Sequence, residues 1–166
     1  ALINGSPRIK QSVSNYILQD LKSLLNNDNN IIIECHFSKV QVDEKYMNEL
    51  IDCDALVFAF PLYVDGIPSH LLNNLIELEK FFSLNKEKDI MVYSIVNCGF
   101  YEGHQTKIAI EMMENWCVKA GLRWRQGLGI GAGGMVSALR NVPAGHGPRK
   151  NIDSALNQLA ANILES

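Results

Sequence analysis

The chain has 166 residues, 47% of them hydrophobic and 20% charged, which suits a single domain over residues 1–166. At this length folding buries about 70% of the unfolded surface, so neither disulfides nor a metal ion are required for stability. The formal net charge of −3 excludes a strongly basic surface, and we therefore expect no nucleic-acid partner and no binding to anionic membranes.

The first 37 residues predict a strand, a loop, a helix and a second strand. The opening segment 1–4 is short for a central strand, so we expect a few residues to precede it in the natural protein. After a polar stretch, apolar residues recur at helical spacing up to an asparagine-rich breaker: Ile17, Leu18, Leu21, Leu24 and Leu25. The β-branched run 31–37 predicts the second strand.

The middle of the chain continues this alternation. A short helix is marked by Tyr46, Met47, Leu50 and Ile51. The apolar runs 55–60 and 90–96 predict the third and fourth strands. Pro68 can begin the helix between them, and we expect the inward face of that helix to carry Leu71, Leu72, Leu75, Leu78 and Phe82.

The remainder predicts a helix, a fifth strand and a terminal helix. Ile108, Met112 and Trp116 lie four residues apart in a helix that Gly121 can end. Residues 123–130 predict the fifth strand, and 131–148 is a long Gly/Pro-rich stretch. The terminal helix is striped by Ile152, Leu156, Leu159 and Ile163.

Five strands alternating with five helices predict a parallel sheet with helices on both faces. Right-handed crossovers favour a doubly wound arrangement. In such sheets a ligand binds beyond the carboxyl ends of the strands, where the strand order reverses. The loops after strands one, three and four are therefore the candidate site.

The four cysteines, Cys35, Cys53, Cys98 and Cys117, form no CxxC pair, and the four histidines are scattered. We therefore expect reduced thiols and no metal site. No apolar run approaches the roughly 20 residues that span a bilayer, and the amino end lacks a basic region followed by an apolar one. These observations predict a cytoplasmic protein.

The loop after the first strand, NGSPRIKQSVSN over residues 4–15, brings serine hydroxyls, backbone amides and Arg8 to the start of a helix. Because the amino end of a helix attracts anions, the loop predicts a phosphate site. An ordinary serine-capped helix start is the alternative. The loop lacks the second glycine and the Gly-Lys pair of a Walker motif, which argues against nucleotide hydrolysis.

Two further motifs accompany this loop: PLYVDGIPSHLLNNL after strand three and NCGFYEG after strand four. Together the three motifs resemble those of the NADPH-dependent FMN reductase family of flavodoxin-like flavoproteins, and the likeness runs over residues 2–131. The resemblance implies a flavodoxin-like three-layer sandwich with helices on both faces. Its five-stranded parallel sheet would have the order 2-1-3-4-5, with FMN at the switch point.

The resemblance also implies the cofactor-binding residues, with no catalytic side chain and no metal. The FMN phosphate would be held by Ser6, Arg8, Ser12, Ser14 and Asn15. The second loop would lie along the isoalloxazine ring through Pro61, Leu62, Tyr63, Val64, Asp65 and Gly66. The third loop would flank the ring from the other side through Asn97, Gly99 and Phe100.

Four features have plainer alternatives. Tyr63 can be a core or surface aromatic, and Asp65 belongs to a common Asp-Gly turn pair. Cys98 beside a flavin suggests a redox role, but small buried thiols are commoner. The segment GIGAGG over 129–134 matches a dinucleotide fingerprint, yet neither an immediate helix nor a further strand follows, so we interpret it as close backbone packing.

By resemblance the protein is a homodimeric oxidoreductase in which a hydride passes from NAD(P)H through FMN to a small acceptor. A free flavin, a quinone, an azo or nitro compound or a metal ion would each serve as that acceptor. Two alternatives stay open: an electron-transfer protein without its own NAD(P)H reaction, and a flavin-free relative used for interaction. The extra phosphate of NADPH could be bound by Arg140, Arg149 and Lys150. The alternative is that these basic side chains are simply solvated.

Overall fold

Strands and helices alternate along the chain in the computed structural model, which describes residues 1–8, 11–27, 29–85 and 88–165, without the side chain of Arg140. The strands are Leu2–Asn4 (β1), Glu34–His36 (β2), Ala55–Pro61 (β3), Met91–Asn97 (β4) and Arg123–Ile130 (β5). The helices are Val13–Leu25 (α1), Glu44–Ile51 (α2), Ser69–Leu84 (α3), Lys107–Ala120 (α4), Gly133–Val136 (α5) and Lys150–Leu164 (α6). Short 3-10 turns cover Gly103–Thr106, Ala138–Asn141 and Gly147–Arg149.

The five strands form one parallel sheet in the order β2-β1-β3-β4-β5. β3 and β4 make the centre, paired from Ala55 opposite Met91 to Pro61 opposite Asn97. Their side chains are buried on both faces, which is why these segments read as continuous apolar runs instead of alternating ones. The predicted strand order is confirmed.

Two hydrophobic cores lie on opposite faces of the sheet. Because successive strand residues point to opposite faces, Phe58 of β3 belongs to one core and Val57 to the other. Leu75 of α3 and Met113 of α4 pack in the first core. The second core is covered by α1 and α6 through Ile17, Leu18, Leu21, Leu156 and Leu159. The predicted helical layers on both faces are therefore confirmed.

Local signals set the helix ends as the sequence indicated. The Ser12 side chain caps α1 by accepting the backbone N–H of Asn15. Gly121 ends α4 with a φ of 72°, a left-handed conformation that glycine adopts without strain. None of the described helices combines the length and the apolar composition that crossing a bilayer requires.

Some predicted details are wrong. The second strand begins at Glu34 instead of residue 31, because β1 is only three residues long and its register with β2 begins with Leu2 opposite Glu34. Leu72 is 38% exposed, whereas Leu71 is buried. Each residue of a helix is rotated by about 100° from the one before it, so these two neighbours cannot both face the core. On α4 the buried face is Ala109, Met113, Trp116, Cys117 and Ala120. Ile108 is instead 58% exposed.

The glycines near the end of β5 allow two backbones to approach closely. A Cβ at Gly131 would lie 2.2 Å from the carbonyl oxygen of Tyr101, and one at Gly129 would lie 2.3 Å from Oγ1 of Thr106. The interpretation of GIGAGG as a packing motif is confirmed. The chain then forms the four-residue α5, an element that the sequence did not predict.

Candidate functional site

The three loops identified in the sequence leave the same edge of the sheet. β1, β3 and β4 are adjacent and parallel, so their last residues, Asn4, Pro61 and Asn97, end at this edge. From β1 the chain crosses to β2 on one side and then to β3 on the other, which makes this edge the switch point of the sheet.

The first loop begins with a turn that two side chains build. Oδ1 of the buried Asn4 accepts the N–H of Ser6 at 3.0 Å, and Oγ of Ser6 accepts the N–H of Arg8 at 3.2 Å. A hydroxyl that accepts a backbone N–H keeps its own proton for donation. Ser6 is therefore able to donate to an anion, and the Arg8 side chain is exposed beside it.

The second part of this loop caps α1. Oγ of Ser12 accepts the N–H of Asn15 at 3.2 Å, so Ser12 also keeps its hydroxyl proton. Ser14 is buried and donates its proton to Oδ1 of Asn97 at 3.1 Å. Ser12 thus performs the capping role that the sequence left as an alternative, and this role leaves a donor for a phosphate.

The second loop is a tight turn over Tyr63–Gly66. Tyr63 and Gly66 exchange two backbone hydrogen bonds of 3.0 Å, and the central residues Val64 and Asp65 have φ values of 48° and 57°. Positive φ at both central positions defines a type I′ turn. Neither bond involves the N–H of Val64 or of Asp65, whereas the Gly66 amide is paired within the turn.

The third loop presents an aromatic side chain beside open backbone. Phe100 is 53% exposed, and a Cβ placed on Gly99 would meet nothing within 4 Å. The loop is held from below, because Ala132 donates its N–H to the carbonyl oxygen of Phe100 and Gly133 donates to that of Cys98. A ligand can therefore approach this loop without displacing it.

The end of β4 joins the first and second loops. The Asn97 carbonyl oxygen accepts the N–H of Leu62 at 2.7 Å, while the Asn97 side chain accepts the Ser14 hydroxyl. Asn97 is buried at this junction. The fold therefore brings Ser14, Leu62 and Asn97 together from three separate motifs.

Two histidines outside the predicted binding residues lie against the first loop. Nε2 of His70, in the first turn of α3, is 3.1 Å from the carbonyl oxygen of Gly5. Nδ1 of His36, at the end of β2, is 3.4 Å from Nδ2 of Asn4. The sequence offered only their positions as a signal, since each histidine lies at the carboxyl edge of the predicted sheet.

The cysteines match the plainer interpretation. Burial raises the pKa of both Cys35 and Cys117 to about 12, so these thiols stay protonated and inert at neutral pH. Cys98 is also buried, with Sγ 3.8 Å from the carbonyl oxygen of Phe100 and 3.7 Å from that of Glu102. Cys98 packs as a small thiol beneath the third loop.

Arg149 is neither solvated nor available for a nucleotide phosphate. Its guanidinium pairs with Asp153 at 2.9 Å and with Asp20 at 3.0 Å, and only 18% of the side chain is exposed. The hydrogen bond from Arg149 to Asp153 raises the pKa of Arg149 further. Arg149 therefore neither lies in solvent nor is free to bind the extra phosphate of NADPH, and both predicted alternatives are wrong. Its ion pairs instead connect the segment after β5 to α1 and α6. The predicted role of Arg140 falls on a side chain outside the described part of the structure.

Two cavities lie away from the three loops. A cavity of about 160 Å³ between α1 and the segment after β5 is lined by Tyr16, Gln19, Asp20, Val136, Leu139, Arg149 and Ile152. A groove of about 520 Å³ lies at the opposite edge of the sheet, among residues such as Leu2, Ile32 and Asp54. Neither is lined by the predicted ring-binding residues, which instead form an open edge with Val64 fully exposed.

No family model matches the sequence, and no curated protein matches it either. Solved structures do. The NADPH-quinone reductase from P. pentosaceus is 14% identical with a TM-score of 0.68, over 96% of this chain and 95% of that one. The flavodoxin, WrbA-like protein from Agrobacterium tumefaciens is 10% identical with a TM-score of 0.67, over 99% of this chain and 94% of that one. The chain has the flavodoxin-like fold.

A further structure of this kind, the azoreductase AzrA, is 13% identical with a TM-score of 0.58, over 98% of this chain and 97% of that one. At such identities the comparisons show the flavodoxin-like fold, including its switch point, and nothing finer. The resemblance to flavodoxin-like flavoproteins that the loop motifs carried is confirmed at this level.

Proposed function

We propose that this flavodoxin-like chain is an FMN-dependent NAD(P)H oxidoreductase. The observation that carries the proposal is the meeting of the three loops at the switch point. One loop offers two hydroxyl donors and a cation, and the other two offer exposed aromatic side chains. The first set suits a phosphate and the second a flat apolar ring, and FMN contains both. The names of the similar structures, a quinone reductase, an azoreductase and a flavodoxin, support the same chemistry.

The first loop fits the phosphate end of FMN. Ser6 and Ser12 donate their hydroxyl protons, and the exposed guanidinium of Arg8 supplies a charge-assisted bond. The amino end of α1 adds the favourable end of the helix dipole. Ser14 would support the site without contacting the phosphate, because its hydroxyl bonds Asn97 and so holds the first turn of α1 against β4.

The second and third loops fit the isoalloxazine ring. Tyr63 and Phe100 are both about half exposed and offer flat apolar faces. The N–H groups of Val64 and Asp65 take no part in the two bonds of their turn and would be the donors to the ring edge. The open space at Gly99 admits the ring to the backbone of the third loop. The residues present therefore fit the cofactor.

When bound, FMN supplies hydride chemistry between a reduced nicotinamide and a small acceptor. The contribution of the chain would be orientation and electrostatics: the amides of Val64 and Asp65 would donate to a bound ring and stabilise negative charge on it. We assign no proton transfer to a side chain. A free flavin, a quinone, an azo or nitro compound or a metal ion are the candidate acceptors.

An FMN titration of the purified protein, followed by visible absorbance and flavin fluorescence, tests the cofactor. NADPH or NADH added without oxygen then tests the reductive reaction, and bleaching of the flavin band is the expected result. Binding without bleaching by either nucleotide would favour the electron-transfer alternative. Failure to bind FMN would favour a flavin-free relative and overturn the proposal.

Variants of the first loop test the phosphate assignment. We expect Arg8→Ala and Ser12→Ala each to weaken FMN binding by about 1.5–3 kcal/mol, the contribution of a bond to a charged group. Ser154→Ala is the matched control, because Ser154 is exposed on α6. Unchanged FMN affinity in both loop variants would remove the phosphate from this loop.

We also propose that the protein forms a homodimer through the outer face of α3 and α4. Nε1 of Trp116 donates to the carbonyl oxygen of Leu75 at 2.7 Å and holds the two helices side by side. Leu72 and Ile76 of α3 and Ile108 of α4 are exposed. Light scattering at micromolar concentration should give a dimer, and Ile76→Glu should give a monomer. A monomeric natural chain would contradict this proposal. The cytoplasmic location stays a prediction.

A further inference from the structure

His70 reaches from the first turn of α3 to the start of the first loop. Its Nε2 lies 3.1 Å from the carbonyl oxygen of Gly5, a residue 65 positions earlier in the chain. Because a carbonyl oxygen only accepts, Nε2 of the imidazole must carry the proton in this bond. His70 is half-buried, so the bond is partly shielded from water.

The peptide group between Gly5 and Ser6 is held at both of its polar atoms. The Gly5 carbonyl accepts from His70, and the Ser6 N–H donates to Oδ1 of Asn4 at 3.0 Å. The preceding amide, that of Gly5, donates to the carbonyl oxygen of Ala59 at 2.8 Å. Because a peptide group is planar, the bonds from His70 and to Asn4 together fix the direction of the Gly5 carbonyl.

The loop lies directly against α3 at this point. A Cβ at Gly5 would lie 2.6 Å from a methyl carbon of Leu71, the residue that follows His70. The two contacts together keep the Gly5 carbonyl turned toward α3. A carbonyl oxygen aimed instead at the candidate phosphate site would repel an anion, and rotation of this peptide would also move the Ser6 hydroxyl.

We propose that His70 is a positioning residue for the flavin phosphate. It holds the Gly5–Ser6 peptide so that the Ser6 hydroxyl faces the phosphate and the Gly5 carbonyl faces away. The proposal rests on the proposed function, because it requires that FMN occupy this site. It adds a residue that contacts the loop rather than the ligand and that none of the three loop assignments includes.

The test compares FMN with riboflavin, which lacks the phosphate. The dissociation constants of both ligands are measured by flavin fluorescence for the natural chain, His70→Leu and His70→Gln. We expect His70→Leu to weaken FMN about fivefold to tenfold, the value of one intramolecular hydrogen bond, and riboflavin less than about twofold. The amide nitrogen of Gln occupies nearly the position of Nε2, so His70→Gln should restore FMN binding to within about twofold.

The outcomes separate this proposal from the proposed function. If the natural chain binds FMN and His70→Leu weakens both ligands equally, His70 has a merely structural role and the proposal is overturned while the function stands. If the natural chain binds neither ligand, both fail. Circular dichroism checks the folding of each variant. Should His70→Leu not fold, His70→Asn takes the same measurement, because its amide falls short of the Gly5 oxygen.

Discussion

The Ser14 hydroxyl donates to Oδ1 of Asn97 at 3.1 Å, joining residues 83 positions apart in the chain. Ser14 lies in the first turn of α1 and Asn97 ends β4, and both side chains are buried. The bond fixes the candidate phosphate loop to the strand that also holds the second loop through the N–H of Leu62. The two ends of the candidate flavin site are therefore coupled through one residue, Asn97, by its side chain on one side and its backbone carbonyl on the other.

Ser14→Ala should destabilise the protein by about 1–3 kcal/mol, because it leaves Oδ1 of Asn97 buried without its donor. Urea unfolding measures the loss. Ser94→Ala is the matched control: Ser94 is also fully buried, but its Oγ has no hydrogen-bond partner among the described residues. Removing that hydroxyl should be neutral or stabilising. Equal losses in the two variants would show that the Ser14 bond contributes nothing.

Val64→Asn should stabilise the protein by about 1 kcal/mol, because a left-handed conformation costs an ordinary residue about 1–2 kcal/mol and asparagine tolerates it. Val64 has a φ of 48° and is fully exposed, so the change removes no packing. Thermal unfolding measures the gain. Val40→Asn is the control, since Val40 is exposed without a positive φ. A gain of the same size at position 40 would contradict the strain at Val64.

Arg149→Ala should destabilise the protein by about 1.5–3 kcal/mol, because Asp153 would keep a partly buried charge with less compensation. Asp153 would still accept the N–H of Gly145 at 2.7 Å. Arg149→Lys should recover only part of the loss, since one ammonium cannot match a guanidinium that bonds Asp153 through Nε and Asp20 through Nη2. Urea unfolding and amide exchange at Gly145 measure the effects. Lys150→Ala, at the exposed neighbouring position, should stay within about 0.5 kcal/mol of the natural chain.

Glu34→Gln should lower stability at neutral pH and have no effect in acid. A hydrogen bond from Lys22 holds the pKa of Glu34 below its ordinary value of 4.5. A carboxyl with a lower pKa in the folded state stabilises the fold above its unfolded pKa, and this contribution is lost as the pH falls through the folded pKa. The pair is partly exposed, so the difference should be about 0.2–1 kcal/mol at pH 7.

Urea unfolding of both proteins at pH 7 and near pH 3 checks this expectation. High salt at pH 7 should also shrink the difference, because it screens an exposed ion pair. A difference that persists undiminished in acid would assign the loss to packing of the side chain instead of its charge.

The fold could be predicted from the sequence because its signals are local and repeated. The continuous apolar runs of β3 and β4 specify buried parallel strands, and the cap at Ser12 and the glycine at 121 mark helix ends. The ends of the strands and the buried faces of the helices were less predictable. β2 is shorter than its β-branched run because it pairs with the short strand β1, and Leu72 is exposed although leucine favours the core.

For the candidate site, the convergence of three loops could be predicted from the sequence, because the carboxyl ends of parallel strands lie at one edge. Which atoms meet there follows from the three-dimensional packing alone. The Ser14–Asn97 bond and the contact of His70 with Gly5 join segments distant in the chain, as does the Asp20–Arg149 pair outside the site. Such contacts depend on how whole elements pack in three dimensions, and no local pattern of residues encodes them.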